Sequence, residues 1–173
     1  SYSALSSCLF PEMAKEQSWK SVDLYSVLQI DMKNYPSTFY RIHQYITRTC
    51  PHFFDEYHIK RVDAIWNSKL HSPFVHQCDI LERRAKQSEF KPSWNEESNP
   101  ELRKRALDVL NGFAFKDLPF AHLKILPVFH ATREEYIPKF LNTGFAALQL
   151  TDSGYFGKGI YFTSFPDYAL KVY

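Results

Sequence analysis

The chain has 173 residues, 45% of them hydrophobic and 17% aromatic, with three cysteines and a formal charge of +2. That length and apolar content suffice for one ordinary domain and exclude a wholly disordered chain. The mild charge does not predict nucleic-acid binding, which usually shows a strongly basic patch, and no apolar run approaches the ~20 residues of a membrane span.

Cys8, Cys50 and Cys78 are odd in number and widely spaced, so no disulfide framework is implied and an intracellular, reducing setting, cytoplasmic or nuclear, is the default expectation. No charged-then-apolar signal segment opens the chain. It begins at Ser1 rather than methionine, as expected of an excised or processed piece.

The first part reads as polar turns with short apolar groups. Val22, Leu24, Val27, Leu28 and Ile30 fit either a short helix or a half-buried strand, which periodicity alone does not separate. Pro36 followed by Phe39, Ile42, Tyr45 and Ile46 predicts an amphipathic helix that ends before Pro51. Residues Tyr57 to Trp66 are rich in β-branched side chains and predict a strand. Asn67-Ser68 then offers a cap for a helix with apolar positions at Leu70, Phe74, Val75, Cys78 and Leu81, and its tail Glu82–Lys86 is read as solvated.

Gln87 to Pro100 forms the clearest surface loop. A helix over Glu101–Leu110 is expected to stop at Asn111-Gly112 in a left-handed cap. Strands are expected at Leu123–Phe129 and Gly159–Thr163, with a helix over Arg133–Asn142 between them and Gly144 just beyond its end. Pro166 opens a last helix. Helices and strands alternate without a regular βαβ rhythm, so the fold class is α+β.

Chemistry concentrates in two segments. In Gly154-Tyr155-Phe156-Gly157-Lys158-Gly159-Ile160-Tyr161-Phe162, three glycines permit a positive φ or a close backbone approach beside a tyrosine able to stack on a flat ligand. A tight hairpin with a half-buried tyrosine explains the same residues. His130 leaves an apolar run (Ile125, Leu126, Val128, Phe129), where it is either a ligand-binding imidazole or a structural hydrogen-bonder. Cys50, His52, His71, His76 and Cys78 match no zinc spacing, and no metal site is expected.

The order Phe129-His130-Ala131-Thr132, a helix, Gly144-Phe145, Phe156-Gly157-Lys158-Gly159-Ile160-Tyr161-Phe162 and then Tyr173 resembles the catalytic domain of the poly(ADP-ribose) polymerase-like ADP-ribosyltransferases. The likeness is close over Leu126–Tyr173 and looser over the strand near Arg61–Ile65 and the helix Ser68–Arg84. It implies an ADP-ribosyltransferase-like split antiparallel sheet with flanking helices, whose last strands would follow Tyr173. Residues 1–50 would form an N-terminal helical or irregular extension, and residues 51–173 the N-terminal and central part of the catalytic domain.

The implied donor is NAD. His130 would hydrogen-bond and orient a ribose hydroxyl, the backbone of Ala131 would pair with the nicotinamide carboxamide, and Thr132 would support that contact. Tyr161 would stack on one face of the nicotinamide and Tyr173 would cover the other, with Tyr155 near the exit and the loop 146–153 flanking the donor. The ending Thr163–Tyr173 looks most like the branch that transfers single ADP-ribose units to a protein or nucleic-acid acceptor. Two departures stand out. Ala131 replaces the usual glycine, and the family's third key residue would lie after Tyr173. A degenerate transferase fold that binds NAD, ADP-ribose or a partner without turnover is the alternative.

Overall fold

The computed structural model describes residues 25–90, 99–116, 118–145 and 159–172. Tyr155, Tyr173, Gly154, Gly157 and the loop 146–153 lie outside them. The described part is mixed α and β, consistent with the α+β expectation.

In its described part the first apolar group is a strand, while Val22 and Leu24 lie outside the described residues. β1 (Ser26–Ile30) pairs antiparallel with β2 (Val62–Trp66), in a register that sets Ser26 against Trp66 and Ile30 against Val62. Side chains of a strand alternate between faces, so Leu28 and Ile30 on β1 share a face with Val62, Ala64 and Trp66 on β2. Ile30 is 2% exposed there, packed beneath Tyr35 and Phe39. Val27 and Ile65 take the outer face. β2 is shorter than the predicted Tyr57–Trp66 because its partner turns away. Asp31 accepts from the backbone N–H groups of Lys33 and Asn34, an Asx turn that ends β1 at Ile30 and leaves residues 57–61 nothing to pair with.

Helix α1 (Pro36–Thr49) forms as expected, with proline in its first turn and Pro51 just past Cys50. A single helical turn, α2 (Phe53–Glu56), follows. Its Phe54 ring stacks on His43 of α1, with centroids 4.1 Å apart. Because β1 and α1 lie before residue 50 and pair or pack with β2 and α2, the two expected regions share one core in their described parts.

α3 (Ser68–Ala85) begins at Asn67, whose side chain accepts from the N–H groups of Lys69 and Leu70. Only Val75 and Cys78 of the expected apolar stripe are buried, while Leu70, Phe74 and Leu81 remain partly exposed. After a 3₁₀ turn (Ser88–Phe90), α4 (Pro100–Phe113) is capped by Asn99. It runs through the predicted stop at Asn111-Gly112, and among the described residues only Gly144 has a positive φ, 75°. The stop comes instead at Ala114, a buried residue whose N–H still bonds back to the Leu110 carbonyl.

Two predicted strands are corrected. Leu123–Phe129 and Gly159–Thr163 meet in a single antiparallel bridge, Phe129 opposite Thr163, with N···O distances of 2.7 and 3.0 Å. The next hydrogen-bonded pair of an antiparallel ladder would join Ala131 to Tyr161. That pair does not form, and the Tyr161 carbonyl that it would use accepts from the His130 ring. The helix predicted over Arg133–Asn142 is a 3₁₀ turn (Glu134–Tyr136) leading into α5 (Ile137–Thr143), which closes at Gly144 as expected. α6 (Pro166–Val172) is the last helix. No helix among the described residues is long and apolar enough to cross a membrane.

Candidate functional site

The Phe129–Thr163 bridge sets His130 beside Tyr161, two residues from separate motifs. His130 Nδ1 lies 2.9 Å from the Tyr161 carbonyl oxygen. A carbonyl only accepts, so Nδ1 carries the proton and donates it, and in the neutral ring Nε2 is the acceptor nitrogen.

Three phenylalanines frame the imidazole. Phe145 meets it edge-on at 5.2 Å, Phe140 edge-on at 6.2 Å, and Phe162 tilted at 5.4 Å. Phe140 and Phe145 stack on each other at 4.8 Å, and Phe145 presents its edge to Phe162. The arrangement narrows the ring's orientations. Phe145 and Phe162 belong to the two sequence motifs, whereas Phe140 lies within the expected helix and no local pattern marks it as a neighbour of His130.

Of the other predicted site residues, Ala131 and Tyr161 are half-buried and Thr132 is exposed, consecutive with or opposite His130. Gly159 has no positive φ, and among the described residues nothing lies within 4 Å of where its Cβ would stand. The other two glycines of the motif, Gly154 and Gly157, lie outside the described residues.

Support comes from elements outside the two motifs. Tyr45 of α1 donates from its hydroxyl to the Pro127 carbonyl at 2.7 Å, and its ring stacks on Phe129 at 5.6 Å. Burial pushes the Tyr45 hydroxyl pKa up against a smaller opposing effect of Arg48, which keeps it a donor. Phe113, at the end of α4, meets Tyr45 and Phe165 edge-on. Asn67, 8% exposed, caps α3 and also donates to the Leu141 carbonyl of α5, so one side chain ties α3 to the helix carrying Phe140.

Glu82, read as part of a solvated tail, accepts from the backbone N–H groups of Ala121, His122 and Leu123 at distances of 2.8 to 3.3 Å. It fixes the start of the segment that ends at His130. Burial, followed by the nearby Asp167 carboxylate, pushes the Cys50 thiol pKa up. Among the described residues no group of three or more His, Cys, Asp or Glu side chains is placed to hold a metal ion.

A cavity of ≈ 1140 Å³ lies between α1 and residues 113–116 and 127–129. His130, Ala131, Thr132 and Tyr161 do not line it. Compared with known proteins, the chain matches no family model, no curated protein and no solved structure.

Proposed function

We propose that the chain is part of an NAD-dependent ADP-ribosyltransferase that moves single ADP-ribose units to a protein or nucleic-acid acceptor and releases nicotinamide. The observation that carries this reading is the contact between His130 and Tyr161. Two motifs 31 residues apart converge so that an oriented imidazole adjoins a half-buried tyrosine.

In that reading, Nε2 of His130 accepts a hydrogen bond from a ribose hydroxyl of NAD and fixes the sugar. The main chain of Ala131 pairs with the nicotinamide carboxamide, supported by Thr132. Tyr161 stacks on the nicotinamide from one side and Tyr173 from the other, with Tyr155 at the exit. The bond between nicotinamide nitrogen and anomeric carbon breaks, its electron pair leaving with nicotinamide. The acceptor's nucleophile bonds to the anomeric carbon and gives up its proton. Positive charge develops on the ribose, so holding one reactive conformer does more here than strong acid–base chemistry.

The test is incubation of the chain with labelled NAD and analysis for covalently attached label. Transfer that disappears in His130→Ala and Tyr161→Ala supports the enzyme. No transfer together with no NAD-dependent rise in melting temperature removes both NAD readings, since a ligand bound to the native state at 100 times its Kd stabilises by about 2.7 kcal/mol.

Ala131, where the family has glycine, favours a second reading: a transferase-type pocket that binds NAD or ADP-ribose without turnover. Its signature is a thermal shift with no covalent label.

A further inference from the structure

The cavity between α1 and residues 113–129 has a chemistry unlike that of the His130 site. Arg41, Tyr45 and Arg48 fall at i, i+4 and i+7 of α1, one stripe along the helix, and all three line the cavity. Its floor is aromatic. Tyr45 lies between Phe129, stacked at 5.6 Å, and Phe113, edge-on at 6.4 Å. The Arg48 guanidinium sits 5.8 Å from the centroids of both Tyr45 and Phe113, a cation held over two π faces. Lys116 stands on the opposite rim. The charged lining residues are all cations, and no aspartate or glutamate lines the cavity among the described residues.

We infer that this cleft binds an acidic peptide segment of a partner protein, with an apolar side chain on the aromatic floor and carboxylates on the arginines. Three observations select that occupant. The volume of ≈ 1140 Å³ exceeds the roughly 300–1,000 Å³ usual for small-molecule pockets, which argues for a chain rather than a single metabolite. The one-sign lining complements a carboxylate-rich ligand. The net charge of only +2 gives no long basic surface for a nucleic-acid backbone to follow.

The spacing also sets a sequence pattern. Arg41 and Arg48 are seven residues apart on a helix rising 1.5 Å per residue, so they stand about 10 Å apart along the axis. A peptide in the polyproline II conformation, with three residues per turn and a rise of about 3.1 Å per residue, covers about 9 Å in three residues and returns both carboxylates to the same side. The preferred segment is therefore Glu-x-x-Glu with large apolar residues at the two x positions.

Fluorescence anisotropy of the full chain with a labelled Ser-Glu-Phe-Leu-Glu-Ser peptide tests this without NAD, so its outcome is separate from that of the transferase reading. Saturable binding is expected, weakened about tenfold when both glutamates are replaced by glutamine and weakened by added salt. Arg41→Glu and Arg48→Glu are each expected to weaken it about tenfold, and the Arg41→Glu/Arg48→Glu double variant is expected to prefer a peptide carrying lysines in place of the glutamates. Arg41 and Lys116 are exposed, so Arg41→Glu and Lys116→Glu give the same readout if Arg48→Glu disturbs folding. The inference is overturned by equal binding of the glutamine peptide, by unchanged binding in variants with wild-type circular dichroism, or by no saturable binding of the glutamate peptide. Tighter binding of a single-stranded oligonucleotide at the same site, lost in Arg41→Glu, also overturns it.

Discussion

The His130 ring donates from Nδ1 to the main-chain oxygen of Tyr161 at 2.9 Å, so a side chain occupies the acceptor that the next rung of the Phe129–Thr163 pairing would use. That bond fixes the imidazole tautomer and joins the two motifs.

That bond has a direct spectroscopic consequence. A long-range ¹⁵N–¹H correlation spectrum at a pH where the ring is neutral is expected to show His130 with its proton on Nδ1. A spectrum showing the proton on Nε2 would remove the bond, and with it the proposed acceptor for a ribose hydroxyl.

Ala131 is the departure that bears on ligand affinity. If its backbone faces the nicotinamide carboxamide, its methyl crowds that approach, and Ala131→Gly is expected to tighten NAD binding by up to about tenfold. Calorimetry with NAD measures it. Unchanged or weaker binding in a variant that melts like the parent would dissociate Ala131 from the donor.

Two glycines should respond oppositely to alanine. Gly112 lies inside α4, with nothing within 4 Å of an added Cβ, so Gly112→Ala is expected to stabilise by about 0.5–1 kcal/mol. Gly144 has φ 75° and ψ −174° and an added Cβ would stand 3.3 Å from Leu70 Cδ2. Gly144→Ala is expected to cost about 1–3 kcal/mol. Urea denaturation of both variants decides. A destabilised Gly112→Ala would restore the helix stop read from Asn111-Gly112.

These two positions also mark what was legible in the sequence. A glycine after a helical pattern is a stop only if the chain then turns. Gly144 does turn, whereas α4 runs one more residue past Gly112 and brings Phe113 against Tyr45 and Phe165. Helices α1 and α3 were readable because their limits are local: Pro36 and Pro51 for one, the Asn67 cap for the other. Leu123–Phe129 has a strand's composition, but composition reports fitness for a sheet and not whether a partner is present. The site followed the same rule. His130 and Tyr161 stood out by motif. Tyr45, Asn67 and Glu82 could not, because their partners lie 82, 74 and about 40 residues away and no periodicity encodes such pairs.

Asn67 carries two duties that separate by substitution. Asn67→Ala removes the cap on Lys69 and Leu70, about 1 kcal/mol, and leaves the Leu141 carbonyl without its donor, roughly 1 kcal/mol or more. A loss of about 2 kcal/mol is expected in chemical denaturation. Asn67→Ser keeps a capping oxygen and loses the amide donor, so it should fall between parent and alanine variant. Equal losses for both would mean the bond to α5 carries the whole effect.

Glu82 makes stability depend on pH. Burial raises its carboxyl pKa, but the N–H bonds of His122, Leu123 and Ala121, with the nearby His122 charge, outweigh this, and the net shift is downward. A carboxyl held lower in the folded state binds fewer protons there than in the unfolded chain, so it favours the fold at high pH. Its contribution is complete above the ordinary glutamate range and is lost as pH falls from there through the lower folded value. Glu82→Gln keeps one acceptor oxygen without a titrating charge. The parent should therefore melt above Glu82→Gln near pH 7, and the gap should close as pH falls below the ordinary glutamate range. A gap constant from pH 7 to pH 3 would mean that the Ala121–Leu123 backbone does not depend on the carboxylate. In that case another contact fixes the arm leading to His130.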